Sequence, residues 1–306
     1  MILFIICIFY YRELSVYDDS AWALLKNKVP EYEKKEKKYI QLTHETAAIC
    51  VLMKAEELYV DEWVDYNIGL GFDRIYIYDN SDNNTMKEWG EKRSKDVEVI
   101  HWPGLKRQMR SQVHCLNQLP KHTWMGLFDG DEFLVLKKHN NVVDFLKEHC
   151  KRGSIAINWS IFGTGNKTLY EPLPVTKRFL YRETNISSTI KSIIRMDDFD
   201  PKQKIKNPHS FPVRKGTMQH DTDGKSNFSI AGAAHQEGGP TDVALLHHYR
   251  YKSLEEWRYK GCVRKMAANS SKQCDWPAVN GTTYDDSAWL TLMKNVPKYK
   301  ELYDAI

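Results

Sequence analysis

Short apolar runs bounded by turn residues alternate with stretches of helical periodicity from about residue 41 onward. Ala47–Met53 (AAICVLM) reads as a buried strand, and Glu56–Leu70 as a helix with Leu58, Trp63, Tyr66 and Leu70 among its apolar positions. Gly71 ends that helix, and Arg74-Ile-Tyr-Ile-Tyr78 predicts a second strand closing on the Asx-rich turn Asp79-Asn80-Ser81-Asp82-Asn83. Val97–His101 is a third strand, followed by a Pro-Gly turn and a helix over Gln108–Leu119; Trp124–Phe128 is a fourth. Strand–helix–strand–strand–helix–strand predicts an α/β fold with a mostly parallel sheet flanked by helices. The pattern then becomes less regular. Ser154–Trp159, Lys191–Arg195 and Phe228–Ile230 read as short strands among Gly- and Pro-rich turns. After them come His247-His248-Tyr249-Arg250-Tyr251 and a helix over Ser253–Ala267, with Ser253 and Glu256 at capping-box positions.

The fourth strand ends in Asp129-Gly-Asp131-Glu132 and resumes as Phe133-Leu-Val-Leu. Residues two apart on extended backbone point to the same side, so Asp129 and Asp131 place two hard oxygen ligands at a strand end. Such a pair suits Mg²⁺ or Mn²⁺, ions that share their remaining coordination with substrate phosphates. In open α/β sheets ligands bind beyond the carboxyl ends of the strands, where Asp79 and Asp129 both fall. Read blandly, the same acids are a solvated turn, and the Asx-rich segment after Asp79 is a second one.

A hydrophobic content of 42%, with 9 Trp and 17 Tyr, supports a large core and aromatic-lined clefts, and a net charge of +4 does not suggest a nucleic-acid partner. The six cysteines show no zinc-ribbon spacing. Cys50 lies inside an apolar run and reads as a core thiol, whereas Cys115, Cys150, Cys262 and Cys274 are available for pairing in an oxidising compartment. Seven N-x-S/T sequons, at Asn83, Asn158, Asn166, Asn185, Asn227, Asn269 and Asn280, point the same way, towards the secretory pathway and a Golgi-like lumen. Residues 2–11 are apolar but shorter than the roughly 20 residues of a membrane span; they read as a truncated membrane anchor or signal core, or as a buried terminal strand.

One motif recurs. Tyr17-Asp-Asp-Ser-Ala-Trp22 through Val29-Pro30-Glu-Tyr32 returns as Tyr284-Asp-Asp-Ser-Ala-Trp289 through Val296-Pro297-Lys-Tyr299. Each copy reads as a helix capped by Asp or Ser and stopped by Val-Pro. The spacing is that of a whole domain, so residues 1–40 are expected to comprise the apolar segment, the tail of a preceding copy and the charged linker Glu33–Lys38, with the main domain at 41–306. Two similar docking helices within one domain would give the same pattern.

The ordered set Met53-Lys54-Ala55-Glu56, Glu62-Trp63-Val-Asp-Tyr66-Asn67-Ile-Gly69, Ile75-Tyr-Ile-Tyr-Asp79-Asn80-Ser81-Asp82, Asp129-Gly-Asp131-Glu132-Phe133, Asn158-Trp159-Ser-Ile-Phe162-Gly163, Lys191-Ser-Ile and His248-Tyr249-Arg-Tyr-Lys252-Ser253-Leu-Glu-Glu256-Trp257 resembles the family 92 and family 2-like glycosyltransferases. The resemblance implies a GT-A fold (a Rossmann-like mixed sheet with a more irregular acceptor half), a nucleoside-diphosphate sugar donor, a glycan or glycoprotein acceptor, Mn²⁺ or Mg²⁺, and inversion. It places the metal and donor diphosphate on Asp129 and Asp131, with His248 completing the metal site. Asp79 would read the nucleotide, Lys54 and Glu56 would line it, and Lys191 would offset the diphosphate charge. Trp159 and Phe162 would floor the acceptor site through aromatic–sugar stacking. Inversion needs a carboxylate base, for which Glu237, Asp242 and Asp221 are the candidates. Rival readings are an inactive, sugar-binding homologue, a two-carboxylate hydrolase using Asp129 and Glu132, and a structural Ca²⁺ protein, although no EF-hand loop is present.

Overall fold

In the computed structural model, β1 (Ala47–Met53) is the hub of one half of a nine-stranded sheet. It pairs in parallel with β2 (Arg74–Asp79) on one side and β4 (Trp124–Leu127) on the other, and β3 (Val97–His101) extends the sheet beyond β2. The described residues are 45–229, 234–264 and 279–304. The sheet runs β3-β2-β1-β4-β8-β6-β10-β5, with β5 at Glu132–Leu136, β6 at Ser154–Ile161, β8 at Ile190–Arg195 and β10 at Ala244–His248; β9 (Gln219–His220) pairs with β6. A small second sheet joins β7 (Tyr181–Arg182) to β11 (Thr283–Tyr284). β8 runs antiparallel to both β4 and β6, and β5 antiparallel to β10, while the other pairings of the large sheet are parallel. This is the mostly parallel mixed α/β sheet that the alternation predicts. Strands β1 and β2 are buried along nearly their whole length, which is why they read as continuous apolar runs without alternation.

Among the described residues the α-helices are α1 (Val60–Gly69), α2 (Lys87–Lys92), α3 (Gln108–Gln118), α4 (Val142–His149), α5 (Val175–Arg178), α6 (Leu254–Arg258), α7 (Ser287–Asn295) and α8 (Pro297–Asp304). Helix α1 starts four residues later than its periodicity suggests, because residues 56–59 form a turn closed by Tyr59 N–H donating to the Glu56 carbonyl. Gly71 follows with φ +102, and a Cβ there would lie 2.1 Å from Asn141, the residue whose side chain caps α4; only glycine allows this approach. Helix α6 carries the predicted Ser253/Glu256 capping box, then loosens into a π-turn over Tyr259–Val263. The Val-Pro element stops α7 as predicted, with Val296 breaking the helix, and Pro297 then opens a further helix, α8, where its missing N–H costs nothing. The first copy of the repeat, residues 2–11 and the charged linker lie outside the described residues, as does Ile230.

Helix α1 holds the strand that follows the acids. Trp63 Nε1 donates to the Glu132 carbonyl at 2.8 Å, and Tyr66 Oη to the Leu134 carbonyl at 2.8 Å. The free edge of β5 is thus capped by two buried side chains.

Cys50 is bonded to Cys115, joining β1 to α3, and Cys150 is a buried free thiol. This corrects the reading of Cys50 as a core thiol: an apolar run hides a cysteine's partner when that partner lies on a helix packed over the strand. The bond closes a loop of 65 residues. By chain-entropy scaling a loop of that size is stabilised by about 4 kcal/mol. Replacing both cysteines by serine should therefore lower the midpoint of urea denaturation and steepen its slope, because the released unfolded chain exposes more surface. Five described sequon asparagines (Asn83, Asn166, Asn185, Asn227 and Asn280) are exposed, whereas Asn158 is buried and donates to the Gln236 carbonyl. No helix among the described residues is long and apolar enough to cross a membrane.

Candidate active site

At the carboxyl end of β4 the chain turns through Asp129-Gly-Asp131 into β5, and polar and basic side chains from four other elements converge on that turn. Lys191, on β8, is fully buried and donates from Nζ to Asp129 Oδ2 at 2.9 Å, with Glu132 Oε2 at 3.6 Å. Gln108, at the start of α3, donates to Asp129 Oδ1 at 2.9 Å. His248, the last residue of β10, sets Nε2 3.3 Å from Asp131 Oδ1, and Lys260 of the π-turn reaches Asp131 Oδ2 at 2.5 Å. The antiparallel pairing of β10 with β5 creates this meeting, since it registers His248 opposite Glu132. Tyr249 N–H closes the corner on the Asp131 carbonyl at 2.9 Å.

Burial works against charge on both aspartates, yet neighbouring basic groups outweigh it. Lys191 and His248 hold Asp129 below the usual carboxylate range, and Lys260, His248 and Lys252 hold Asp131 well below it. Lys191 is in turn held above the ordinary lysine range: burial opposes its charge, but Asp129 and Glu132 more than compensate. Glu132 is pushed well above the carboxylate range, first by its burial and then by Asp129 and Asp131. It is 0% exposed, and its Oε2 accepts from Asp129 N–H at 2.8 Å. Glu132 therefore braces the turn and meets no substrate, which removes the carboxylate pair that a hydrolase reading requires.

Next to these acids lies a small cleft lined by Glu56, Tyr59, Arg250, Lys252, Lys260 and Arg264. Arg264 donates to the Lys54 carbonyl at 2.7 Å and to Glu56 Oε1 at 2.5 Å, which ties the end of β1 to the C-terminal half. Lys252 is 5% exposed, with its ammonium 4.4 Å from the Tyr59 ring centre; burial pulls its pKa down. Lysine and arginine side chains grouped beside two carboxylates suit a phosphate-bearing ligand.

The sequence-predicted residues divide accordingly. Asp129, Asp131, His248 and Lys191 form one constellation, and Glu56 lines the adjoining cleft; Lys54 does not line it and is held there only through its carbonyl, which accepts from Arg264. Trp159 is half-buried, with its ring 4.3 Å from that of His248. Phe162 does not share its face: it is 1% exposed and stacks on Tyr249 at 4.4 Å, so it is a core residue and no acceptor floor. Asp79 is 0% exposed and accepts from Ser81 N–H and Met86 N–H, shaping the 79–86 loop in place of meeting a nucleotide. Asp242 precedes the start of β10, at the opposite end of that strand from His248, and pairs with Lys138 on the surface. Asp221 is buried and accepts from Asp223 and Lys225 N–H and from Gln236. The Asp221 oxygens are taken up by these bonds, and Asp242, though exposed, lies at the end of β10 away from the acidic turn, which leaves Glu237, also exposed, as the remaining candidate base.

Sequence reasoning missed Gln108, His209, Lys260 and Arg264. His209 has Nδ1 3.0 Å from the Ile190 carbonyl and its ring 5.4 Å from that of Trp159; burial, then Lys191, lowers its pKa to about 4. No local signal marks these residues, which sit in loops or on a helix turn and owe their place to tertiary contacts alone.

The donor set of two carboxylates and an imidazole fits Mn²⁺ or Mg²⁺, and His248 Nδ1 is buried without a hydrogen-bond partner, so Nε2 is the nitrogen turned to the site.

The sequence profile of Glycosyltransferase family 92 matches residues 45–280. A glycosyltransferase family 92 protein of Arabidopsis thaliana is 26% identical over 243 residues, covering 74% of this chain and 39% of that protein. Another, from Oryza sativa subsp. japonica, is 24% identical over 219 residues, covering 69% of this chain and 34% of that protein. The chain thus spans well under half the length of these relatives. Among solved structures, S. aureus TarS 1–349 is 14% identical, with 54% of this chain and 53% of that chain covered and a TM-score of 0.35, too slight a likeness to bear on the site.

Proposed function

The chain belongs to glycosyltransferase family 92, and from that membership we propose that it moves a sugar from a nucleoside-diphosphate donor to a glycan or glycoprotein acceptor. The observation that carries this reading is the constellation at the end of β4: Asp129 and Asp131 charged, flanked by Lys191, Lys260 and His248, and adjoining a basic cleft. Asp129, Asp131 and His248 would hold a divalent cation, which supplies Lewis-acid neutralisation of the leaving diphosphate. Lys252 and Lys260, which line the cleft, would bind the donor phosphates, and Trp159 would orient an acceptor sugar by stacking. Lys191, fully buried on Asp129 and Glu132, would hold the acidic turn in place without meeting the diphosphate. Inversion, with Glu237 as the base, belongs to the same proposal; its support is that Glu237 is exposed on a turn tied to the β6–β8 region by Gln236 N–H donating to the Ser188 carbonyl. A secretory-pathway lumen, reached with or without anchoring through residues 2–11, is proposed on the Cys50–Cys115 bond and the five exposed sequons.

Calorimetric titration of UDP and GDP into the full chain, with and without Mn²⁺, tests the reading. Micromolar binding of one nucleotide, dependent on Mn²⁺ and lost in Asp129→Asn/Asp131→Asn, is expected; absence of binding to either would shift the assignment to an inactive homologue. Glu237→Gln should bind donor normally yet fail to transfer. Normal transfer by that variant would remove Glu237 as the base.

A further inference from the structure

The loop after β5 and the last turn of α4 bring His139, Glu148 and His149 together, far from the acidic turn. One ligand atom from each lies within 4.8 Å of the others. His139 Nε2 is 2.9 Å from Glu148 Oε2, and His149 Nε2 is 3.5 Å from Glu148 Oε1. β5 starts beside Asp131 and ends at Leu136, a separation of about 17 Å at 3.4 Å per residue. His139 lies beyond that far end. The proposed donor site does not use these residues.

Three features favour a cation among them. His149 Nδ1 lies 3.2 Å from the Thr222 carbonyl, which can only accept, so the ring proton sits on Nδ1 and the lone pair on Nε2. That Nε2 is buried with no hydrogen-bond partner and faces a carboxylate oxygen, so in the neutral ring two lone pairs oppose each other, and either a proton or a metal cation between them relieves the repulsion. Metal-bound histidines typically donate their second ring N–H to a carbonyl in this way. The rings are also held in place: Phe145 packs against His139 at 5.7 Å and His149 at 5.3 Å between ring centres, and the two imidazoles are 5.3 Å apart, edge to face. His149 is the last residue of α4, where the helix dipole favours positive charge.

We propose that His139, Glu148 and His149 form a zinc site that staples the β5–α4 loop to the end of α4. Two imidazoles and one carboxylate are a zinc donor set with an open fourth position. Zn–N and Zn–O bonds of about 2.0–2.2 Å in a tetrahedron separate neighbouring ligand atoms by about 3.4 Å, close to the observed spacing. Glu148, with a side chain 66% exposed, can make the remaining adjustment without disturbing the core. Its neighbours Lys151 and Arg152 border a cleft on the same side, open to water as the fourth ligand.

The test uses the full chain carrying Asp129→Asn/Asp131→Asn, so that the acidic site no longer takes metal, with Mg²⁺ in excess. Titration with Zn²⁺ should show one ion per chain, and Co²⁺ should give the visible absorption of a tetrahedral complex. His139→Asn and His149→Asn, each checked for native circular dichroism, should abolish that absorption, and Glu148→Gln should weaken Zn²⁺ binding by about tenfold or more, since even the outer partners of metal ligands are worth about 10–100-fold. No uptake of Zn²⁺, or uptake that persists unchanged in both histidine variants, would overturn the site. If one histidine variant unfolds, the other and Glu148→Gln still decide it.

Discussion

Asp131→Asn should lower the turnover of sugar transfer by about 10³-fold while the protein stays folded. Asp131 is where the β4–β5 turn meets the C-terminal half. Its oxygens face His248 Nε2 at 3.3 Å and Lys260 Nζ at 2.5 Å, and its carbonyl accepts from Tyr249 N–H. The amide keeps the shape but removes the charge, and its NH₂ group turns a donor towards one of two groups that themselves donate. Losing one preorganised charge-stabilising contact in a catalytic site is worth about 10²–10³ in kcat, and the carboxylate is also one of the proposed cation ligands. Steady-state rates should fall at unchanged circular dichroism, and Mn²⁺-dependent nucleotide binding should weaken in parallel. Wild-type turnover in the variant would take Asp131 out of the donor site.

Arg178→Met is expected to give the largest loss of stability, at a buried ion pair behind the wall of the adjoining cleft. The Arg178 side chain is 0% exposed and makes a bidentate pair with Glu256, Nη1 to Oε2 at 2.9 Å and Nη2 to Oε1 at 2.8 Å. Glu256 also accepts from Ser253 N–H within the capping box and from Tyr59 Oη. Removing one partner of a buried pair costs about 3–5 kcal/mol, because the other charge is left uncompensated. For a domain of this size that corresponds to a fall of about 6–20 °C in Tm.

The same pair has a pH signature. Burial on its own would raise the Glu256 carboxyl, but Arg178, Ser253 and Lys252 bring it down to about 2. A depressed carboxylate contributes stability that is fully present above its unfolded value of about 4.3 and is lost as the pH falls towards 2. Thermal denaturation at pH 7 and pH 3 should therefore show the gap between wild type and Arg178→Met narrowing in acid. A gap of equal size at both values would place the cost in lost packing against Tyr170 and Phe179 rather than in the ion pair.

Much of this protein was legible before any coordinates. Strands β1 to β4 and helix α3 fall within a residue or two of their predicted bounds, because their apolar runs are long and their turn residues unambiguous. Asp129 and Asp131 were legible too, since three acids at the end of an apolar strand require an explanation in themselves. The ordered motifs beyond residue 150 located Lys191 and His248. Helix α1 was placed too early because the turn that delays it depends on backbone bonds within residues 56–59.

Local pattern determined the α/β class, the strand order along the chain and the acidic turn, because each rests on periodicity or residue type within a short window. Partners across the sheet were decided by tertiary structure alone. Antiparallel β8 carries Lys191 to Asp129, the register of β10 on β5 sets His248 against Asp131, and a π-turn far along the chain delivers Lys260. The fold likewise buried Phe162 and Asp79 and sent Asp242 to the far end of β10. Which face a side chain presents depends on what packs against its element, and a single sequence window contains only half of that contact.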